Sequence, residues 1–387
     1  MRILYVTDTY FPHINGVYYA IQHLALKLQS KSYETAILAP SDTSHFTKSK
    51  IDNINVYGMP SLSIGYYGSV RIPISFHLKR RIKEILSSFK PDVIHIQGFF
   101  ILNKTILEVN KEFNIPVIGT NHFMAENLTV FFPTQMLKGW LEKWIWKKFT
   151  KVFNQAKLVT SPTETGAKMI RCRLNVPVIP VSNGINLKRF SEKHNLPDIR
   201  AKYNLPNKPI LLSIGRLDPE KHTEEVLEAA AIALKRSNFC LVICGKGTDK
   251  ELLEDSAKKL GIENDVIFTG FVPDEELPEF YKISKCFITA SIAELQSLAT
   301  MEAMASGLPV IAANAGALAE LVHNEENGYL FEPGEIEVIA GSISSIFDDK
   351  MIQKDMGEKS LKNISEHDED ETVKVYEGLY ENLLMQP

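Results

Sequence analysis

Hydrophobic positions in this chain fall into short continuous runs separated by stretches of helical period. In the first half the runs are Ile3 to Val6, Thr35 to Ala39, Val93 to Ile96, Val117 to Gly119, Leu158 to Thr160 and Val178 to Val181. Such runs, without polar alternation, suit parallel strands covered on both faces. Between them, Tyr18 to Gln29 sets Ala20, Ile21, Leu24 and Leu28 on one helical face, and Phe76 to Phe89 has the same period. The pattern then restarts with Ile210 to Ile214, Leu241 to Cys244, Val266 to Phe268, Cys286 to Thr289 and Val310 to Ala312. Two β-α series in succession predict an α/β chain of two doubly wound, Rossmann-like domains. The first is expected over residues 1–190 and the second over 208–365, joined by a connection at 191–207 that Pro197 and Pro206 mark. A terminal helix is expected over 366–387, where Val373, Tyr376, Leu379, Tyr380 and Leu383 form an apolar stripe that must dock, by packing back on the first domain. The acidic run Asp368 to Glu371 suits that helix's N-terminus.

Bulk composition narrows the class. A chain of 387 residues exceeds what one core serves, and 44% hydrophobic with 23% charged residues excludes disordered and collagenous classes. No apolar stretch approaches the ~20 residues of a membrane-spanning helix, so membrane contact is expected to be peripheral. Met1 leads into a short apolar run that stops at Asp8, unlike a secretion signal. Cys172, Cys240, Cys244 and Cys286 lack metal-ligand spacing and read as buried thiols in a reducing cytoplasm. The net charge of -4 conceals a balance of +13 over residues 1–190 and of -17 over 191–387. A basic first half points to an anionic partner such as a membrane surface, with mutual attraction of the two lobes as the alternative. No nucleic-acid recognition module accompanies it.

The candidate chemistry lies in two segments of the second half. In ELQSLATMEAMASGLPV, Glu294 and Glu302 are eight positions apart, the first in the loop after the strand Cys286 to Thr289 and the second inside the following helix, which Gly307 and Pro309 end. In GRLDPEK, Gly215 permits close approach at a strand end, and Arg216 and Lys221 place two cations by a helix N-terminus, as a diphosphate requires. Glu302 can accept both ribose hydroxyls. Together these residues describe a positively charged notch for a nucleotide diphosphate, at the strand ends where doubly wound sheets bind ligands.

With FPHINGV at Phe11 to Val17 and NGYLFEPG at Asn327 to Gly334, these motifs make the chain resemble the retaining glycosyltransferases of the GT-B fold, group 1 or family four, over nearly its whole length. The resemblance implies two Rossmann-like domains facing a cleft and a nucleotide-sugar donor as co-substrate, with no cofactor and no metal. It also implies roles. Gly16 would let a backbone amide approach the phosphates, Arg216 and Lys221 would hold the diphosphate, and Glu302 would bind the ribose. Glu294 and the amides of Leu295, Gln296 and Ser297 would engage the sugar, and His122, in TNHF, would lie beside the reacting carbon. The single glycine of the first loop argues against a dinucleotide fingerprint. Asn186 stands where relatives commonly carry Asp, His222 where glycine often follows Glu-Lys, and Gln296-Ser297 where Phe-Gly is frequent. Gln at that place resembles diacylglycerol glucosyltransferases.

Acceptor evidence comes from QMLKGWLEKWIWKKFTKV, Gln135 to Val152. Leu137, Trp140, Leu141, Trp144, Ile145 and Val152 share one helical stripe expected to pack, while Trp146 is expected to project among the lysines. Lys138 to Lys151 and His77 to Lys90 each carry a local charge of +4. Basic helices with exposed aromatics suit an anionic bilayer surface. The expected function is therefore transfer of a hexose, UDP-glucose being the first choice of donor, to a lipid acceptor of diacylglycerol type, at the cytoplasmic face of the membrane. A polysaccharide or soluble acceptor, a non-hydrolysing sugar-nucleotide epimerase and a silent partner subunit are the alternatives.

Overall fold

The computed structural model describes residues 1–12, 15–63, 71–74, 77–124, 135–191 and 198–385, the side chains of 135–138 excepted. His13, Ile14, Phe76, Pro197 and the side chain of Leu137, which entered the expectations above, lie outside the described residues. The chain divides into two compact units, one of residues 1–184 with the C-terminal helix Glu369–Met385, the other of residues 185–368.

In the first unit the strands that the apolar runs predict are β1 (Arg2–Val6), β2 (Glu34–Ser41), β6 (Val93–Ile96), β7 (Val117–Thr120), β8 (Leu158–Ser161) and β9 (Val178–Pro180), all parallel. The sequence pattern did not reveal β3 (Thr47–Ile51), β4 (Ile54–Ser63) and β5 (Arg71–Pro73). β4 carries Gly58 and Pro60, which punctuate its apolar run, and β3 lies at the sheet edge with its lysines in water. The sheet order is β3-β4-β2-β1-β6-β7-β8-β9, with β5 on β4, so the order reverses between β1 and β6. Their side chains interlock in register, Leu4 lying between Ala36 and Ile94, all fully buried. Each such aliphatic side chain contributes about 1.5–3 kcal/mol by leaving water.

The helix Glu369–Met385 closes one face of this sheet with Val373, Tyr376, Tyr380 and Leu383. Its tyrosines join a buried polar network. Tyr380 Oη meets His95 Nδ1 at 2.7 Å and Tyr5 Oη at 3.3 Å. His95 Nε2 meets Thr120 Oγ1 at 2.6 Å, which meets Thr160 Oγ1 at 2.7 Å, and Thr160 meets Tyr376 Oη at 3.0 Å. Burial pushes the His95 imidazole down to about 3, so it is neutral inside this network. Glu369, Asp370 and Glu371 occupy the helix's first turn, and Lys27 pairs with the first two at 2.8 Å each.

The second unit holds β10 (Ile210–Ile214), β11 (Cys240–Cys244), β12 (Val266–Gly270), β13 (Cys286–Thr289), β14 (Val310–Ala313) and β15 (Gly328–Phe331), all parallel. The order β12-β11-β10-β13-β14-β15 is the dinucleotide-fold arrangement, with its reversal between β10 and β13. The three cysteines of β11 and β13 are buried, whereas Cys172 is exposed.

The segment 191–207 is not a free connection. Ile199 and Leu205 are buried in the second unit's core together with Phe190 of the preceding helix Leu187–Ser191. The chain instead passes from the first unit to the second after Gly184 and returns at Glu369. On the second unit's side, Ile185 N donates to His367 O at 2.9 Å.

The helix Gln135–Phe153 is rotated from the expectation. Ile145, Phe149, Val152 and Phe153 are buried, and Trp146 packs partly buried against Phe149, with the Arg173 guanidinium 4.0 Å above its ring. Trp140 and Trp144, expected inside, are 67% and 44% exposed. The physical reason is Phe149 and Phe153: counted into the stripe, they swing the buried face toward Trp146. The outer face thus presents Trp140 and Trp144 beside Lys143, Lys147, Lys148 and Lys151. Among the described residues no carboxylate pairs with these lysines. The helix Leu78–Phe89 differs, because Lys79 pairs with Glu108, Arg80 and Arg81 with Glu84, and Lys83 with Glu112.

Candidate active site

The order reversal of the second sheet brings two loops together. After β10, Gly215 N donates to Cys244 O at 3.0 Å, and a Cβ on Gly215 would meet nothing, so the space beside it is open. The close approach at this end belongs to Gly245, whose φ is +153° and whose Cβ would lie 1.8 Å from Gly215 O. The chain then turns through Pro219–Lys221, places His222 in the left-handed region at φ +47°, and enters the helix Thr223–Ala233. That conformation explains why glycine suits this place. His222 Nδ1 lies 2.7 Å from Glu225 Oε1.

The two cations of this loop are not bare. Arg216, half exposed, donates to Asp218 and, at 2.5 Å, to Glu220 Oε1. Both carboxylates are buried, and Glu220 Oε2 has no hydrogen-bond partner among the described residues. Lys221 Nζ donates to Glu294 Oε1 at 2.6 Å and to Ser291 Oγ at 3.4 Å. The expected positive notch is therefore charge-compensated: Arg216 and Lys221 face Asp218, Glu220 and Glu294. Asp218 and Glu220 were missed in the sequence, although their spacing from Arg216 in the same motif was visible.

Glu294 lies in the loop after β13, its backbone fixed by Ala317 N, which donates to Glu294 O at 2.9 Å. Leu295, Gln296 and Ser297 follow, all buried, and Ser297 Oγ caps the helix Leu298–Ala305 by accepting from Thr300 N at 3.3 Å. That helix has no acidic residue in its first turn, whereas Thr223–Ala233 carries Glu224 and Glu225 there. Of the two N-termini, only the former leaves its positive end without a carboxylate in its first turn. Glu302, inside the helix, accepts from Tyr281 Oη at 2.7 Å on Oε2. Burial pushes its carboxyl from 4.5 up to about 7. Asn186 Oδ1 accepts from Arg189 N at 2.9 Å, a capping task that Asn performs as well as Asp.

In the first unit, Gly16 opens the helix Gly16–Ser30, which Asn15 caps through Tyr18 N at 3.0 Å. His122 follows β7, and its Nε2 donates to Gln97 Oε1, 2.7 Å away, at the end of β6. Burial holds the imidazole down at about 4, so it is neutral near pH 7. Gln97 was not singled out from the sequence; its signal was its place at a strand end, the same as that of His122. Asp8 stands at the end of β1, where its carboxylate accepts from Phe100 N at 3.0 Å and burial pushes it up to about 6. Gly16 and His122 lie in one unit, and Gly215, Arg216, Lys221, Glu294, Leu295, Gln296, Ser297 and Glu302 in the other. Among the described residues no group of three or more His, Cys, Asp or Glu side chains is arranged to hold a metal ion.

Two doubly wound sheets, the second with paired cations and carboxylates at its order reversal, define a two-domain, Rossmann-like α/β fold. The sequence profile of Glycosyl transferases group 1 matches residues 196–363, and that of Glycosyltransferase Family 4 matches residues 14–189. An alpha-monoglucosyldiacylglycerol synthase of Streptococcus pneumoniae is 30% identical over 353 residues, 89% of this chain and 77% of that protein. A GDP-mannose-dependent alpha-mannosyltransferase of Mycobacterium tuberculosis is 24% identical, covering 87% of this chain and 85% of its own. The crystal structure of Anabaena Alr3699/HepE in complex with UDP-glucose superposes with a TM-score of 0.75 at 17% identity, over 99% of both chains. This chain belongs to the group 1, family four glycosyltransferases of the GT-B fold.

Proposed function

We propose that this chain transfers a hexosyl group, glucose first among candidates, from a UDP-sugar to a lipid acceptor of diacylglycerol type, with retention of anomeric configuration. The observation that carries this reading is that the order reversal of the second sheet holds both the Lys221–Glu294 pair and Arg216 in its fork of Asp218 and Glu220. The similarity to a glucosyldiacylglycerol synthase supports the sugar and the acceptor class.

In this reading the diphosphate lies against Lys221, Arg216 and the N-terminus of Leu298–Ala305, and the ribose hydroxyls bind Glu302. The acceptor hydroxyl attacks the anomeric carbon from the side the diphosphate leaves. Its proton passes to the departing phosphate oxygen, so the products are glycoside and nucleoside diphosphate. Arg216 and Lys221 offset the charge that develops on that oxygen, the work a divalent ion does elsewhere. His122, neutral and tied through Nε2, offers Nδ1 as an acceptor to a sugar hydroxyl rather than a proton. The tryptophan and lysine face of Gln135–Phe153 docks the first unit on an anionic bilayer at the cytoplasmic side. No helix among the described residues is long and apolar enough to cross a membrane.

The test is incubation with labelled UDP-glucose, UDP-galactose and GDP-mannose plus membrane lipid extract, followed by lipid separation. Label from UDP-glucose in a glycosyldiacylglycerol is expected. Label confined to polysaccharide, or to a sugar nucleotide altered without acceptor, overturns the reading.

A further inference from the structure

Lys221 holds the diphosphate in the proposed reading, and the family resemblance gives Glu294 to the sugar, yet here the two side chains hold each other. The contact is 2.6 Å, and the side chains are only 19% and 16% exposed. Their backbones have little room to part. Ile292 N donates to Glu220 O at 3.1 Å, lacing the two loops together. Behind Glu294 stands Gly316, at φ +56°, where a Cβ would lie 2.6 Å from Glu294 O. An exchange of partners must therefore occur in the side chains. Breaking so buried an ion pair is costly unless each member gains a replacement.

We propose that the Lys221–Glu294 ion pair is a latch coupling recognition of the diphosphate to recognition of the sugar, an inference that rests on the proposed donor roles. A nucleotide sugar replaces both halves, giving Lys221 a phosphate and Glu294 hydroxyl donors. A bare nucleoside diphosphate takes Lys221 alone and strands Glu294, mostly shielded from water, without its cation. The latch thus favours substrate over product, and its re-formation after transfer drives the diphosphate out. Arg216 has no such exchange to make. Its partners Asp218 and Glu220 sit in its own loop, Asp218 accepting also from Thr248 N at 3.1 Å, and the guanidinium keeps further N–H groups for phosphate.

Calorimetric titration of UDP and UDP-glucose, and in parallel GDP and GDP-mannose, into the full chain tests this. Glu294→Gln removes the pair while keeping the shape, and Glu294→Asp keeps the charge but shortens its reach. Both are expected to tighten binding of the nucleoside diphosphate by about fivefold or more and to shrink the advantage of the nucleotide sugar over it. In a Lys221→Ala background, Glu294→Gln is expected to give no such gain. Unchanged or weaker diphosphate binding by both Glu294 variants, with Lys221→Ala still weakening it, overturns the latch and leaves the donor roles standing. Wild-type affinity for the diphosphate in Lys221→Ala, or no binding of either nucleotide by the wild type, overturns the donor roles and the latch with them.

Discussion

Arg216 sits in a fork of two buried carboxylates, so its guanidinium is oriented before any ligand arrives. Orientation of this kind lowers the reorganisation needed as charge moves onto the leaving group. Arg216→Ala and Lys221→Ala are each expected to lower kcat about 100-fold or more, and also to lower the thermal midpoint, because each leaves a carboxylate that is mostly out of water without its cation; steady-state kinetics on the folded protein beside a melting curve checks this. Glu302 gives a pH signature. Its carboxyl is raised to about 7, and in the proposed role it acts ionised, accepting from both hydroxyls of a ribose diol. Donor affinity is therefore expected to fall by up to about tenfold per pH unit below that value and to level off above it. Stability runs the opposite way: the folded chain holds the extra proton between the ordinary 4.5 and about 7, so stability declines as pH rises through that window. Glu302→Gln should flatten both slopes, titration and melting against pH being the measurements. Much of this was visible in the motifs, because Arg216, Lys221 and Glu294 are charged residues in loops that follow strands, and Glu302 lies in the helix after one of those loops. What was hidden is their mutual pairing, since which carboxylate a lysine meets 73 residues away depends on β13 lying beside β10.

At the scale of elements, the helix Gln135–Phe153 shows how a periodic pattern can give the correct element and the wrong face. Three tryptophans and five lysines allow two apolar arcs. The choice falls to the arc that includes Phe149 and Phe153, because two fully buried phenylalanines together with Trp146 outweigh Trp140 and Trp144. The consequence separates the tryptophans by task. Trp140→Ala with Trp144→Ala is expected to weaken co-sedimentation with anionic vesicles while shifting stability by no more than about 0.5 kcal/mol per site. Trp146→Ala is expected to cost about 3 kcal/mol of stability and to leave vesicle binding intact where the protein stays folded. Equal loss of vesicle binding in both would refute the assignment. Strands were easier to read than this face, since a run such as Leu211 and Leu212 is buried on both sides and leaves no face to choose. β4 escaped notice because Gly58 and Pro60 interrupt it, and only pairing with β2 and β3 makes it a strand.

At the scale of the whole molecule, the first unit is assembled from two distant parts of the chain. Val373, Tyr376, Tyr380 and Leu383 cover its sheet, and His95 loses a partner if Tyr380 is absent. Ending the chain at Asp368 is expected to abolish soluble, cooperative folding of the first unit, as read by circular dichroism and size exclusion, while residues 185–368 retain a complete sheet and core. The apolar stripe of the terminal helix, Val373, Tyr376, Tyr380 and Leu383, is the face buried in the first unit's core. The transfer points at Gly184 and Glu369 lay outside the proline-marked segment because Ile199 and Leu205 are drawn into the second core.

That returning helix also bears on biosynthesis. Domains emerging from a ribosome commonly fold in order of synthesis. Here the first 184 residues cannot finish until the last seventeen of the described chain, Glu369–Met385, have been translated. The half made first must wait, its sheet uncapped, while the half made second completes itself ahead of it.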